Sequence, residues 1–449
     1  MKVQRIIEYD ELPKIFRNNN RKLQASLGEV WLIDQSLGID LIAPQEIIGH
    51  ISITASNNND REFYCFFISE IIYKFKGHWK IRNILLEDQH PAEYISTTLP
   101  PSHEIPVFKL FIDLYYDDFG TYRNVYHSLG GVYIQFGNMP IFMRKLLKNH
   151  FLLGFVSFGG NFDEFIQSFT MEMKALECGQ IMNIQGQNCW ITAGLGVVTA
   201  DLPQGNDLAG IKRHGANKGC RTCQVSKEQS TNDNLNIIEL RRYQHITNEQ
   251  FREVSSVATL QGREQLMTKY GLRNKVPILT QLIWNQHLQT PHDVYHATAG
   301  KIARLLKLTI NLFSLEGQRM FTKTWKEFEH PKQWSRLPNP ISHYESFMMS
   351  DYLRLSMVMP FILNRFLKTS HLKDNELVKI QRRICANRIN LVPKSLIKCW
   401  VLASKSMKLV FKNEYSEKDY EDLQQSLEME RKILTQVIIF LFDFINYFY

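Results

Sequence analysis

A chain of 449 residues with 44% hydrophobic and 22% charged side chains has the balance of a soluble globular protein and material for two or three domains. Its net charge of +8 is compatible with a nucleic-acid partner without requiring one. Seven cysteines, Cys65, Cys178, Cys189, Cys220, Cys223, Cys385 and Cys399, are too few and too scattered for a disulfide framework and point to a reducing compartment. The N-terminus, MKVQRIIEYDELPK, is charged throughout and lacks the apolar stretch of a signal peptide. A nuclear or cytoplasmic protein is expected, not a secreted one.

Residues 1–104 read as a mixed lead-in region. Alternating runs such as EVWLID near Trp31 and EFYCFFISEIIYKF up to Phe75 are split by NNND at 57–60, and Pro100, Pro101 and Pro106 mark a boundary. Residues 105–225 carry the sharpest pattern. VFKLFIDLYYDD, GGVYIQFGNMP and HFLLGFVSFGG predict three strands in meander order. NFDEFIQSFTMEMKALECGQ has helical spacing with Gly179 as its stop, and CWITAGLGVVTAD predicts a strand pair turned within its Gly-rich middle. Residues 226–449 begin with the polar SKEQSTNDNLN and then read as helices, among them IIELRRYQHI, a run from Val294 and another around ESFMMSDYLRLSMVMPFILNRFL. The apolar end, VIIFLFDFINYFY, is shorter than the roughly 20 residues a membrane span needs and contains Asp443, so a buried or misplaced helix end is expected and no membrane partner.

Chemistry concentrates in two stretches. In VFKLFIDLYYDD, Asp113 lies inside an apolar strand and Asp117 and Asp118 follow at its end; in VVTADLPQGND, Asp201 closes a second apolar run. An unpaired charge inside a strand costs several kcal/mol, so Asp113 needs either a buried partner or a cation. Two carboxylates on neighbouring strands, Asp113 and Asp201, suit a hard divalent ion such as Mg2+ or Mn2+ with room left for phosphate. Cys220-x-x-Cys223 is half of a tetrahedral Zn2+ site, with His214, His287, His292 or His296 as completions. The basic segments KRHGANKGCR, FMRKLLKNH and IQRRICANR are either solvated faces or contacts to a nucleic-acid backbone.

Three strands, a helix and a strand ending in an acid match the order of a ribonuclease-H-like mixed sheet. Taken together, IPVFKLFIDLYYDDFGTY, GGVYIQFGNMP, VVTADLPQGNDLAGIKRHGANKGCRTC and TPHDVYHATAGKIARLL resemble the transposase domain of CACTA-type (En/Spm-like) DNA transposons, over roughly 105–306. The resemblance implies a ribonuclease-H-like α/β fold with a helical insertion and a helical C-terminal region. Asp113 and Asp201 would be the magnesium-binding catalytic acids, and Cys220 and Cys223 with His296, beside Asp293, would form the zinc set. It also implies DNA as partner, with self-association an open alternative, and strand cleavage and transfer as activity. The third acid of such a site has no family context in this sequence; Glu316, Glu327 and Glu345 stand in the right part of the chain. A truncated or degenerate copy is therefore expected, with a non-catalytic DNA-binding or scaffold protein as the alternative.

Overall fold

A computed structural model describes residues 2–43, 45, 53–55, 66–84, 100–120, 128–229, 240–335 and 337–437. The readings of NNND at 57–60, of Cys65 and of the apolar end beyond Val437 lie outside the described residues. The chain is mixed α/β, and among the described residues no helix is long and apolar enough to cross a membrane. It divides into two compact units, Met1–Val225 with Asn236–Pro291, and Ser226–Leu235 with His292–Tyr449.

In the first unit the early apolar runs pair as β2 (Ile6–Ile7), β3 (Trp31–Ile33), β7 (Glu70–Phe75) and β8 (His78–Asn83), a four-stranded sheet in that order. Two short pairs accompany it, β1 (Lys2–Val3) with β4 (Asp40–Leu41) and β5 (Ile53–Ala55) with β6 (Phe66–Ile68). Helix α1 (Asn19–Ser26) is capped by the Asn18 side chain. Ile7, Leu12, Trp31 and Ile72 form the core of this region. It is not set apart at residue 104, because acids of α5 (Gln244–Ser256) bind it: Glu249 meets Lys80 at 2.6 Å and Tyr73 at 3.2 Å, and Glu253 meets Lys76. Helices α5 and α6 (Leu260–Tyr270) pack Phe251, Val254, Met267 and Tyr270 on Ala209 and Ile211, so this helical stretch belongs with the first unit.

The larger sheet has the order β11-β10-β9-β13-β12. β9 (Val107–Gly120), β10 (Ser128–Phe136) and β11 (Phe151–Val156) form an antiparallel meander, with the short α2 (Ile141–Arg144) before β11. Helix α3 (Phe162–Cys178) follows and covers one face, where Ile166 and Met173 meet Ile112, Leu114, Val132 and Leu195. It stops at Gly179, φ +82°, where any Cβ would lie 2.4 Å from the Trp190 ring. β12 (Gln180–Ile184) turns back as a hairpin into β13 (Gln187–Ala200), which lies parallel to β9. The expected turn in the Gly-rich middle is therefore not there. The chain reverses earlier, at Gln185 and Gly186, both with positive φ, and Gly194 and Gly196 lie inside one 14-residue strand. Likewise the described part of IIELRRYQHI is not helical from Leu240 to Tyr243. Arg241 bridges Cys223 in antiparallel fashion, and helix α5 starts only at Gln244.

The second unit is helical: α7 (Val294–Leu312), α8 (Leu315–Glu327), α9 (Pro340–His343), α10 (Met349–Phe366), α11 (Asp374–Arg383), α12 (Leu391–Val410) and α13 (Glu417–Val437). Its core joins Ile302, Leu306, Leu355, Ile362, Trp400 and Leu434. Within that core Lys301 of α7 meets Glu430 of α13 at 2.7 and 3.0 Å, with both side chains 3% exposed. Removing one partner of such a pair strands a charge, whereas replacing both does not. Lys301→Met should therefore lower stability by about 3–5 kcal/mol, and Lys301→Met with Glu430→Leu should recover most of it in denaturant unfolding. A double variant no better than the single one would show that the pair is not what the site needs.

Candidate active site

Strands β9 and β13 run side by side in parallel, so both deliver their carboxyl ends to the same edge of the sheet. Ala200 pairs with Tyr116, after which β13 leaves the sheet through Asp201 while β9 continues to Gly120 against β10 alone. The departure opens a notch beside residues 117–120. Crevices of this kind, at the carboxyl ends of parallel strands, are where open α/β sheets gather ligands.

Asp201 is the N-cap of α4 (Leu202–Leu208), and its Oδ1 accepts from the Gln204 N–H at 2.8 Å. The side chain of the same Gln204 donates to Asp118 Oδ2, also at 2.8 Å. One glutamine thus ties the ends of both strands together. Tyr116 lies on the same face as Asp118 and donates its hydroxyl to it; burial, and then Asp118, Asp207 and Asp201, push the phenol well above its ordinary range. Space for this pair comes from Gly130, opposite Asp118, where a Cβ would lie 2.6 Å from the Tyr116 ring and 2.9 Å from Asp118 Oδ1. Asp207 completes the acidic group. Arg213 grips it with Nη2 at 2.8 Å and Nε at 3.2 Å, and Arg273 contacts its other oxygen.

Asp113 is not brought to Asp201. It stands three residues before Tyr116, roughly 10 Å short of the strand end. Its strand neighbours Ile112 and Leu114 point into the core under α3, so Asp113 points to the opposite face. There it has a different task. Between Leu195 and Val198 the register of β13 gains one residue, and Gly196 and Val197 both stand opposite Asp113. Asp113 Oδ1 accepts from the bulged Val197 N–H at 3.0 Å, and Oδ2 meets Arg144, which Gln135 also holds. Gly196 is required, since a Cβ there would sit 2.2 Å from Oδ1. Gln289 supports the other side of the bulge, donating to the Leu195 and Gly196 carbonyls at 2.9 and 3.0 Å. Burial raises the Asp113 carboxyl above its ordinary range, against the Val197 N–H and Arg144.

Cys220 and Cys223 are both buried, and their mutual hydrogen bond, together with burial, holds the Cys223 thiol far above its ordinary range. Beside them lies the fully buried Arg242, whose guanidinium donates to the carbonyls of Lys218, Cys220, Cys223 and Tyr270. The loop's shape is thus set by a buried cation serving backbone oxygens. His287, one candidate fourth ligand, is engaged at both ring nitrogens, with the Arg221 carbonyl and the Thr247 hydroxyl each at 2.8 Å, and burial lowers it to about 3. His214 lies in the same loop, its backbone against Gly219. His296 belongs to the other unit, where its Nδ1 pairs with Asp293, the N-cap of α7. Among the described residues no three His, Cys, Asp or Glu side chains are gathered so as to hold a metal ion. Of the three glutamates considered for a third acid, Glu316 pairs with Arg319 at the surface and Glu345 accepts from Tyr344.

Glu177 carries a signal that periodicity does not reveal. At the last turn of α3 its carboxylate accepts from the Ile283 N–H at 2.8 Å, and burial raises it to about 7. It lies near the start of β13, at the opposite end of that strand from Asp201, and outside the acidic notch. No protein-family model and no curated protein matches the chain.

Because the folded pKa of Glu177 lies above the ordinary value of 4.5, its contribution to stability is full below about pH 4.5 and is lost as pH rises through about 7. Glu177→Gln keeps an acceptor for Ile283 and cannot ionise. The melting temperature of this variant relative to wild type should rise between pH 5 and pH 8; a constant difference across that range would exclude Glu177 as the titrating group.

Proposed function

We propose that the chain is a transposon-derived DNA transposase of ribonuclease-H-like architecture, with Asp118 and Asp201, in place of Asp113 and Asp201, as the paired acids of metal-dependent strand cleavage. The observation that carries this reading is Gln204, which holds Asp201 by its backbone N–H and Asp118 by its side chain at the ends of two adjacent parallel strands. The strand order supports the architecture: a three-strand meander, a helix across one face, then a strand parallel to the first and beside it. The fifth strand departs from that pattern, because β12 precedes β13 as its hairpin partner.

The residues of the notch fit a magnesium or manganese ion. Asp118 and Asp201 are hard oxygen donors, and Asp118 accepts from neutral donors, Tyr116 and Gln204. Asp207 is instead neutralised by arginines. When bound, the cation supplies Lewis-acid stabilisation of charge on phosphate oxygens. The chain's own contribution is orientation: Gln204 fixes the two carboxylates, and Arg213 and Arg273 stand beside them as donors for a DNA phosphate. Zinc does not fit at Cys220 and Cys223, because the two thiols hydrogen-bond to each other, His287 is engaged at both ring nitrogens and no third ligand stands with them among the described residues.

A second reading, a DNA-binding protein that keeps this fold without cleaving, is favoured by one observation: Asp207, the third acid of the notch, is held by Arg213 and Arg273, and among the described residues no three acids are gathered so as to hold a metal ion. Nicking of supercoiled DNA in magnesium or manganese separates the two. Asn replaces Asp well as an N-cap, so Asp201→Asn should keep the fold. That variant and Asp118→Asn should each lose about a hundredfold or more in nicking rate. Asp113→Asn should lower the melting temperature and leave the rate of the folded fraction unchanged. Wild-type protein that binds DNA and never nicks it would establish the second reading, and loss of nicking in Asp113→Asn at unchanged melting temperature would return the site to Asp113.

A further inference from the structure

The basic excess of the chain is concentrated in one place. Between Glu376 and Glu414 stand nine Lys or Arg and no Asp or Glu, while the whole chain carries +8. The rest is therefore close to neutral. Helix α12 occupies the middle of this segment. Its buried side, with Val392, Leu396, Trp400, Ala403 and Met407, is committed to the helical core. Its exposed side presents Lys394, Lys398, Lys405 and Lys408. At about 100° per residue these four fall within an arc of roughly 80°, and at 1.5 Å per residue they extend over about 21 Å.

Several other basic residues of this unit have acidic partners nearby: Arg319 pairs with Glu316, Lys379 with Glu376 and Lys412 with Asp419. The four lysines of α12 make no ion pair or side-chain hydrogen bond among the described residues. The arrangement works against the isolated helix. Like charges at i, i+3 and i, i+4 repel by about 0.2–0.5 kcal/mol a pair, and Lys394 in the first turn opposes the helix dipole. A polyanion laid along the stripe removes both penalties. A duplex carries one phosphate per strand every 3.4 Å or so of axis, so about six lie within 21 Å. An interfacial lipid-binding helix needs its own broad apolar face, and α12 has buried that face in the protein.

We propose that the exposed lysine stripe of α12 is a docking surface for the phosphate backbone of duplex DNA, separate from the acidic notch. It shares with the functional reading above only the identity of the polyanion. The test is binding of the full chain to random-sequence duplex over a range of salt concentrations. In wild type, log K should fall linearly with log salt, and with all four lysines changed to Gln the slope should drop by about 3.6, at roughly 0.9 per phosphate contact. The four Lys→Arg changes should keep the slope, and Lys398→Gln or Lys405→Gln alone should each reduce it by about one if the quadruple variant folds poorly. An unchanged slope in the Gln variants overturns the proposal, as does their loss of binding to phosphatidylserine vesicles with DNA binding intact. Wild type that binds no duplex at low salt overturns this proposal and the DNA reading together. Absence of nicking with an intact lysine-dependent slope supports the docking surface and bears only on the acidic notch.

Discussion

The carboxylate of Asp113 against the Val197 N–H is the contact on which the geometry of the sheet depends. β13 must fill the core under α3 along its whole length, and it does so with Leu195 before the bulge and Val198 and Ala200 after it. Strand side chains alternate between faces, so that sequence of buried positions is out of phase by one residue. An extra residue resolves the conflict, and an extra residue leaves a backbone N–H without a ladder partner. Asp113 supplies the acceptor, Gln289 engages the carbonyls on the far side, and Gly196 gives the carboxylate its space. An aspartate in an apolar strand is explained here by a backbone donor and Arg144.

What the bulge achieves lies three residues downstream. With Ala200 returned to the core-facing register, Asp201 falls at the point where β13 leaves the sheet and can cap α4. The cap orients Gln204, and Gln204 reaches across to Asp118. Three acids so close would repel one another, and the local charge is arranged to limit this. Asp207 takes both arginines, Asp118 takes hydrogen bonds from Tyr116 and Gln204, and the phenol of Tyr116 is kept protonated. A notch with two carboxylates beside two arginines is suited to a cation and a phosphate arriving together.

Much of this was legible in the sequence, and the misses share a cause. The meander, α3 with its Gly179 stop and the strand ending at Asp201 follow from period and punctuation, which are local. The position of Asp118 was legible too, as an acid at the end of the first strand, but the choice between it and Asp113 turns on which face each presents. That depends on a bulge in another strand 84 residues away. The Gly-rich run before VVTAD has the local pattern of a turn because glycine often makes turns; here Gly196 makes room for a carboxylate. The IIELRRYQHI segment carries a helical pattern that Arg242 overrides within its described part, since the guanidinium serves four carbonyls while Leu240 to Tyr243 stay out of the helix.

Buried and exposed cations have opposite consequences in this molecule. Arg221 and Arg242 are nearly inaccessible, and each satisfies several backbone or amide oxygens, so their charge shapes loops and projects little outside. The lysines of α12 shape nothing in the folded chain and project all of their charge outward. Stability alone would favour acids among them, at the i, i+4 positions used on α8 and α11 at shorter spacing. A face with four such cations and no acid is held against that preference, and screening at physiological salt, with a Debye length near 8 Å, confines its field to partners that touch it. The molecule thus uses Arg221 and Arg242 for architecture and leaves the lysines of α12 for contact.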